Sequence, residues 1–296
     1  MSRRISTVAF IGLGVMGYPM AGHLARAGLE VRVYNRTAAK AQAWSDEYGG
    51  SHHPTPAAAA EGAELVMMCV GNDDDVREVS IGENGVLSTL TEGSVLIDHT
   101  TASSTLAEEL NQACLERGIG FVDAPVSGGQ QGAENGALTI MCGGAETDFN
   151  ATRAILEHYG RAVTLMGPAG SGQLTKMVNQ ICIAGLVQGL SEGLHFAEQA
   201  GLDQKRVIDV ISKGAAGSWQ MENRHASMID DHYQHGFAVD WMRKDLAICL
   251  EQARKLQAQL PVTALVDQFY ADVQSMDGGR WDTSSLLKRL RRNKDS

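Results

Sequence analysis

The chain has 296 residues, 44% hydrophobic, 20% charged and 5% aromatic, with 33 glycines and a net charge of -10. This usage excludes disordered, collagen-like and disulfide-scaffold chains. The acidic balance, with a pI near 5.4, argues against a general nucleic-acid or anionic-membrane binder, and the length suits two domains.

In chain order, Val8–Ile11 reads as a buried strand, Met16–Ala27 as a helix and Val31–Tyr34 as a second strand. Ala38–Glu47 reads as a helix, and Ala57–Ala60 as a short helix start. Strands are expected at Glu64–Val70, Ser94–Asp98, Phe121–Asp123, Leu138–Cys142 and Val163–Leu165. Strands without a polar face that alternate with helices imply a parallel sheet covered on both sides, with a mixed edge near Leu138–Cys142. After Gly167-Pro168-Ala169-Gly170 the pattern turns helical, and the glycines from 167 to 172 read as a hinge. One helix runs from Ser171 to Ala200, roughly 43 Å at 1.5 Å per residue. Further helices are expected at Gln204–Lys213, Met221–Ile229, Asp240–Leu260, Thr263–Ser275 and Ser284–Arg292. The fold class is α/β, a Rossmann-type doubly wound sheet over residues 1–167. An all-α C-terminal domain over 168–296 follows, joined by the long helix.

Five scattered cysteines (Cys69, Cys114, Cys142, Cys182, Cys249) without a CxxC pair read as reduced, buried thiols of a cytoplasmic protein. Met1-Ser2-Arg3-Arg4 and the apolar run after it imitate a secretion signal, but Gly12, Gly14 and Gly17 break that run. The longest weakly charged stretch, Met177–Ser191, falls short of the ~20 residues of a membrane span.

Gly12-Leu13-Gly14-Val15-Met16-Gly17 is G-x-G-x-x-G, set between a strand and a helix. The first glycine makes the tight turn, the second admits a pyrophosphate and the third lets helix pack on strand. The positive helix terminus then holds the phosphates, which reconciles a polyanionic ligand with an acidic chain. The second strand ends Tyr34-Asn35-Arg36-Thr37, with no carboxylate to bond a ribose 2′-hydroxyl. An amide, a guanidinium and a hydroxyl suit a 2′-phosphate, so NADP is expected ahead of NAD. The bland alternative is a solvated Arg36 and a permissive enzyme.

Asp123-Ala124-Pro125-Val126-Ser127-Gly128-Gly129 follows a strand and ends in a turn whose N–H groups and hydroxyl could bind a carboxylate. Lys176 is the sole cation over more than twenty residues of the long helix, with Asn179 and Gln180 at i+3 and i+4. A partly buried lysine of this kind suits general acid/base work, whereas a lone helical lysine read alone is a snorkelling surface group.

Together these segments, with Gly236-Phe237-Ala238-Val239-Asp240-Trp241-Met242-Arg243-Lys244-Asp245-Leu246, resemble the β-hydroxyacid dehydrogenase family nearly end to end. That family includes 3-hydroxyisobutyrate dehydrogenases and tartronate semialdehyde and glyoxylate/succinic semialdehyde reductases. The resemblance implies that Lys176 is the acid/base, that Ser127, Gly128 and Gly129 bind the substrate carboxylate, and that Asn179 and Gln180 orient the substrate. It further implies that Thr101 lines the nicotinamide side, that Lys244 closes on cofactor and substrate, and that Trp219 walls the substrate pocket. Many members have Leu-Pro after the strand ending at Val70; here Val70-Gly71-Asn72-Asp73-Asp74-Asp75 stands instead. Val70 and Gly71 can keep a backbone contact to the cofactor, and the acidic run suits the start of a helix.

Three features read as structure. Gly185, Gly189 and Gly193 invite close helix packing, by this chain or a partner subunit. His232 and His235 form a loop more readily than a metal site, and Lys288–Lys294 reads as a solvated cationic helix end. The expectation is an NADP-preferring cytoplasmic oxidoreductase, a homodimer or homotetramer without metal. It would interconvert a small β-hydroxyacid and its semialdehyde or ketone. The alternative is a catalytically silent dinucleotide binder or redox sensor on the same fold. Imine reduction would expect another residue at 176, and a phosphosugar substrate a longer C-terminal region.

Overall fold

The computed structural model describes residues 5–291. Met1–Arg4 and the end of the cationic tail, Arg292–Lys294, lie outside the described residues. Two compact units divide between Lys176 and Met177.

The first unit contains β1 (Thr7–Ile11), α1 (Gly17–Arg26), β2 (Glu30–Tyr34), α2 (Ala38–Tyr48), β3 (Ser51–His52), α3 (Pro56–Ala60), β4 (Leu65–Met68) and α4 (Asp73–Ile81). There follow β5 (Val95–Asp98), α5 (Ser104–Leu115), β6 (Gly120–Asp123), β7 (Val126–Ser127), α6 (Gly129–Glu134), β8 (Leu138–Gly144), α7 (Glu146–Leu156) and β9 (Gly160–Gly167). The sheet runs β3-β2-β1-β4-β5-β6-β8-β7, and β9 pairs with β8. From β3 to β6 every pairing is parallel, while β8 is antiparallel to both β6 and β7. The expected mixed edge is therefore present.

Both faces of the sheet are buried. Val8, Phe10, Leu65, Met67, Val95 and Ile97 pack on one side with Met20, Leu24 and Trp44. Ala9, Ile11, Val66, Met68 and Leu96 pack on the other with Val76, Leu106 and Leu110. Successive residues of one strand point to opposite faces, so continuous apolar strands are what a doubly covered sheet requires. Helix starts follow side-chain acceptors: Thr55 before α3, Asn72 before α4 and Ser103 before α5 each take a backbone N–H in the first turn. Asn72, not the acidic run, caps α4; Asp73, Asp74 and Asp75 occupy its first turn.

Helix α8 (Ser171–Gln199) gives its first residues to the first unit and the rest to the second. The division lies inside this helix, beyond the boundary at 167 drawn from composition, because its opening turn is packed on the sheet unit. Gly170 and Gly172 belong to that packing, and the composition-based hinge is not an exposed linker there: Gly170 and Gly172 are buried.

The second unit adds α9 (Gln204–Ile211), α10 (Trp219–Ile229), α11 (Val239–Leu256), α12 (Pro261–Gln274) and α13 (Leu286–Arg291). Ala184 and Val187 pack with Val239, Met242, Leu246, Val266 and Tyr270. Helix α11 stops before the expected Leu260 because Gln257 turns left-handed at φ 57, and Pro261 then opens α12. The cationic end is not simply solvated: Lys288 pairs with Asp231, Arg289 with Asp272 and Arg291 with Glu198. Cys182 is exposed, against the expectation of buried thiols, and all five cysteines are free. Apart from α8 itself, no described residue has a heavy atom within 4 Å of a hypothetical Cβ on Gly189 or Gly193, so no other helix among the described residues packs closely there. Among the described residues no helix is long and apolar enough to cross a membrane.

Candidate active site

The chain leaves β1 to build β2 and β3 on one side, then returns to place β4 on the other. Such a reversal opens a crevice at the carboxyl ends of the strands, where doubly wound sheets bind ligands. The turn after β1 fills this position. Gly12 has φ 96, and a Cβ there would run into the Cys69 carbonyl oxygen at the end of β4. Gly14 has nothing within 4 Å of the corresponding point and is exposed. No side chain caps the start of α1. Open space beside a glycine backbone, at an uncapped helix N-terminus, fits the pyrophosphate of a nicotinamide dinucleotide. Leu13, Val15, Met16 and Gly17 complete the turn, with Leu13 and Gly17 buried and Val15 exposed.

At the end of β2 the three expected phosphate ligands separate in role. Asn35 is occupied by the turn itself: its Oδ1 accepts from Leu13 N at 2.9 Å and its Nδ2 donates to the Thr37 carbonyl. Arg36 has an 82% exposed side chain and pairs with Asp75 at 3.2 Å. Thr37 precedes α2 without making a side-chain cap bond.

Val70 and Gly71 follow β4, and the Val70 N–H donates to Thr100 Oγ1 at 3.0 Å. Thr100 therefore fixes the backbone that sequence reading assigned to the cofactor, while neighbouring Thr101 is half-buried. Below this loop burial pushes the Asp98 carboxyl up to about 7, against a hydrogen bond from Thr100 N at 2.9 Å.

The segment Asp123–Gly129 carries the expected carboxylate site. Ser127 ends β7 and is half-buried, while Gly128 and Gly129 are exposed with φ of 133 and 61. The strand-like path is held from below by a residue that the sequence did not single out. His99 Nδ1 donates to the Ala124 carbonyl at 2.7 Å, and Tyr159 OH lies 2.8 Å from Nε2. The carbonyl demands a proton on Nδ1, so in the neutral ring Nε2 is the acceptor for Tyr159. Burial pushes His99 down to about 4, which keeps the ring neutral at pH 7.

Lys176 lies on α8 with 8% of its surface exposed. One turn earlier, Gln173 is buried: its Nε2 donates to the Thr100 carbonyl at 2.7 Å and its Oε1 accepts from Ala102 N at 3.1 Å. The dinucleotide turn, the Thr100–Thr101 loop, Ser127–Gly129 and Lys176 thus belong to one compact unit.

The second unit holds the remaining expected residues. Asn179 Nδ2 donates to Gln180 Oε1 at 2.8 Å, and Gln180 Nε2 donates to Asp245 Oδ2 at 2.5 Å. Gln180 is 2% exposed with both ends of its amide engaged, so it holds Asn179 and is not itself presented to a ligand. Lys244 Nζ lies 3.2 Å from Asp245 Oδ1. Trp219 opens α10, exposed, with the Arg224 guanidinium 4.9 Å from its ring centre. The His232 and His235 rings lie 5.3 Å apart, and no cluster of three or more metal-ligating side chains occurs among the described residues.

Two family models match in series. The NAD binding domain of 6-phosphogluconate dehydrogenase covers residues 7–167, and the NAD-binding model of NADP-dependent 3-hydroxyisobutyrate dehydrogenase covers residues 170–290. An uncharacterized oxidoreductase of Shewanella frigidimarina (strain NCIMB 400) is 59% identical, over 98% of this chain and 100% of its own. The 2-hydroxy-3-oxopropionate reductase of Escherichia coli (strain K12) is 34% identical over 96% of each. Among solved structures, 3-hydroxyisobutyrate dehydrogenase of Mycobacterium tuberculosis with L-serine superposes with a TM-score of 0.87 at 28% identity, over 97% of this chain and 100% of that one. With the dinucleotide turn in place and both models matched across the chain, the protein belongs to the β-hydroxyacid dehydrogenase family and is an NAD(P)-dependent hydroxyacid dehydrogenase.

Proposed function

We infer that the enzyme interconverts a small β-hydroxyacid and its semialdehyde or ketone, prefers NADP, and uses Lys176 as its general acid/base. The observation that carries this reading is a buried lysine on α8, in the same unit as the dinucleotide turn and the Ser127 loop. The printed names of relatives in the 2-hydroxy-3-oxopropionate and 3-hydroxyisobutyrate classes support a small acid as substrate.

When bound, the nicotinamide supplies or accepts the hydride. In the reducing direction Lys176 gives the Nζ proton to the carbonyl oxygen, so hydride on carbon and proton on oxygen make the alcohol. In the oxidising direction Nζ takes the hydroxyl proton. The Ser127 hydroxyl and the N–H groups of Gly128 and Gly129 hold the carboxylate, and Asn179, held by Gln180, orients the substrate. Val15, Met16 and Gly17 at the start of α1 hold the pyrophosphate, and Val70, Gly71 and Thr101 border the nicotinamide side. Lys244 and Trp219 are substrate-side residues of the second unit. Arg36 takes the 2′-phosphate; its exposed pairing with Asp75 is weak enough to exchange. The description of the second matching model as NADP-dependent supports the same preference. Five free thiols suit a reducing cytoplasm.

The test is a panel of glyoxylate, succinic semialdehyde and 2-hydroxy-3-oxopropionate with NADPH and NADH. Lys176→Ala is expected to lower kcat by about 100- to 10,000-fold, the usual range for a removed acid/base, while the NADPH Kd stays within about twofold (roughly 0.4 kcal/mol). Wild-type kcat in that variant overturns the lysine assignment. A wild-type protein that binds NADPH but reduces none of the three acids returns the silent-binder alternative.

A further inference from the structure

We propose that Asp123 is a positioning residue, whose carboxylate caps the helix carrying Lys176 and thereby sets the lysine relative to the Ser127 loop. The proposal rests on the acid/base reading of Lys176 given above. Asp123 is buried at the end of β6. Its Oδ1 accepts from Gly170 N at 2.7 Å and its Oδ2 from Gln173 N at 2.8 Å. The first N–H groups of a helix have no partner within it, and a carboxylate is the strongest acceptor the chain can offer them. The residue before α8 is Gly170, which has no side chain, and the first turn of α8 contains no acidic residue. The cap therefore comes from a residue 47 positions away in sequence.

The surrounding packing is built for this contact. A Cβ on Gly143 would stand 2.5 Å from Asp123 Oδ1 and 2.7 Å from Gly172 N. One on Gly172 would stand 2.7 Å from both the carbonyl and Oδ2 of Asp123. Two glycines on separate elements are thus needed to let helix and carboxylate meet. Gln173 then ties the same turn to the loop after β5 through its two bonds to Thr100 and Ala102.

From Asp123 the chain runs to Ser127 with little slack. Ala124 N donates to the Asp98 carbonyl at 2.7 Å, and the Ala124 carbonyl accepts from His99. Met141 N donates to the Pro125 carbonyl at 3.1 Å, and Ser127 is in register with Thr139 of β8. Lys176 lies one turn beyond Gln173, roughly 5 Å along the helix axis. One carboxylate thereby links the residue that moves the proton to the loop that holds the substrate.

The experiment compares Asp123→Asn, Asp123→Ser and Lys176→Ala with wild type. Turnover uses NADPH and the fastest of the three acids above, and the folded fraction comes from NADPH fluorescence titration. Asp123→Asn puts an amide N–H against a backbone N–H, so kcat per folded site is expected to fall roughly 10- to 100-fold, as a displacement of about 1 Å can cause. KM for NADPH stays within about twofold, since the dinucleotide turn is untouched. A merely structural role would lower the folded fraction and leave kcat per site intact. If Asp123→Asn folds and keeps kcat within twofold while Lys176→Ala is inactive, the positioning role is overturned and the lysine reading stands. If Lys176→Ala itself turns over normally, the lysine reading falls and takes this one with it. Should Asp123→Asn fail to fold, Asp123→Ser decides, since its single smaller hydroxyl cannot accept from both Gly170 N and Gln173 N: a kcat loss of at least fivefold at constant KM for NADPH supports the proposal, and wild-type kcat overturns it.

Discussion

Gly12 and Gly14 stand two residues apart in one turn, yet alanine at each should damage a different property. At Gly12 the backbone φ of 96 lies in the left-handed region, which costs an L residue about 1–2 kcal/mol. The new methyl would also meet the Cys69 carbonyl, at the end of a strand paired on both sides and unable to retreat. Overpacking of that kind typically adds about 1–3 kcal/mol. A total of about 3 kcal/mol corresponds to a Tm lower by roughly 6–12 °C for a unit of this size.

Gly14→Ala is the opposite case. Gly14 does not have a positive φ, and no atom lies within 4 Å of the added methyl. Stability should hold or rise by about 0.4–1 kcal/mol through the lower entropy of the unfolded chain. The methyl instead occupies the approach of the pyrophosphate. Loss of one charge-assisted hydrogen bond, about 1.5–3 kcal/mol, raises the NADPH Kd roughly 10- to 150-fold. Thermal melts and NADPH fluorescence titrations of both variants read the two effects separately. NADPH binding of wild-type strength in Gly14→Ala refutes the placement of the pyrophosphate; an unchanged melt in Gly12→Ala refutes the steric account of the turn.

Arg36→Ala is expected to raise the NADPH Kd roughly tenfold, a charged contact discounted for exposure, and to leave NADH binding unchanged. An equal loss with both cofactors would remove Arg36 from 2′-phosphate recognition. Asp98 provides a pH test. Its folded pKa of about 7 lies above the ordinary 3.8, so native protein retains a proton that unfolded chain has lost. The Asp98 contribution to wild-type stability therefore falls as pH rises from about 4 to about 7 and is flat above, by a few kcal/mol at most. The neutral Asp98→Asn escapes this loss, and its Tm advantage over wild type should grow between pH 5 and pH 8; an advantage independent of pH contradicts the assignment. A second copy of this chain is expected on the face of α8 that carries exposed Val178, Leu186 and Phe196 beside Gly189 and Gly193. Light scattering should give two or four times the monomer mass, with Leu186→Glu shifting it toward one; a monomeric wild type removes that interface.

What could be read in the sequence were features whose physics is local. Val8–Ile11 and Leu65–Met68 are apolar at every position because both of their neighbours along the sheet normal are helices. Gly12 and Gly14 declare themselves because the turn and the phosphate approach act on single residues. Lys176, Ser127 and Asn179 stand out in the sequence through their resemblance to contiguous family motifs. Hidden from the sequence were contacts made across long separations. Asp123 seats a helix 47 residues away, Gln173 reaches back 73 residues to Thr100, and His99 meets Tyr159 across 60. No local pattern distinguishes such a carboxylate from any other strand-ending aspartate. The two-residue strands β3 and β7 escaped because two residues carry no periodicity. Asn35 reads as a phosphate ligand because its amide looks available in sequence; in the fold its Oδ1 accepts from Leu13 N and its Nδ2 donates to the Thr37 carbonyl, contacts no local pattern announces.

The acidic run after β4 raises an electrostatic problem, since it lies beside the loop expected to border the cofactor in a chain of net charge -10. The fold resolves it one carboxylate at a time. Asp73 accepts from both the backbone N–H and the hydroxyl of Ser103, which caps α5. Asp74 is almost fully exposed and lies 3.6 Å from Arg77, where water and the guanidinium screen it. Asp75 is paired with Arg36, and burial raises Asp98 to about 7, so it carries only part of its charge near neutral pH. These four carboxylates are bonded, screened, paired or partly protonated, so the field at the start of α1 is dominated by its own N–H groups. A phosphorylated ligand meets that local positive terminus, and the net charge of the chain, spread over a surface many Debye lengths around, does not oppose it.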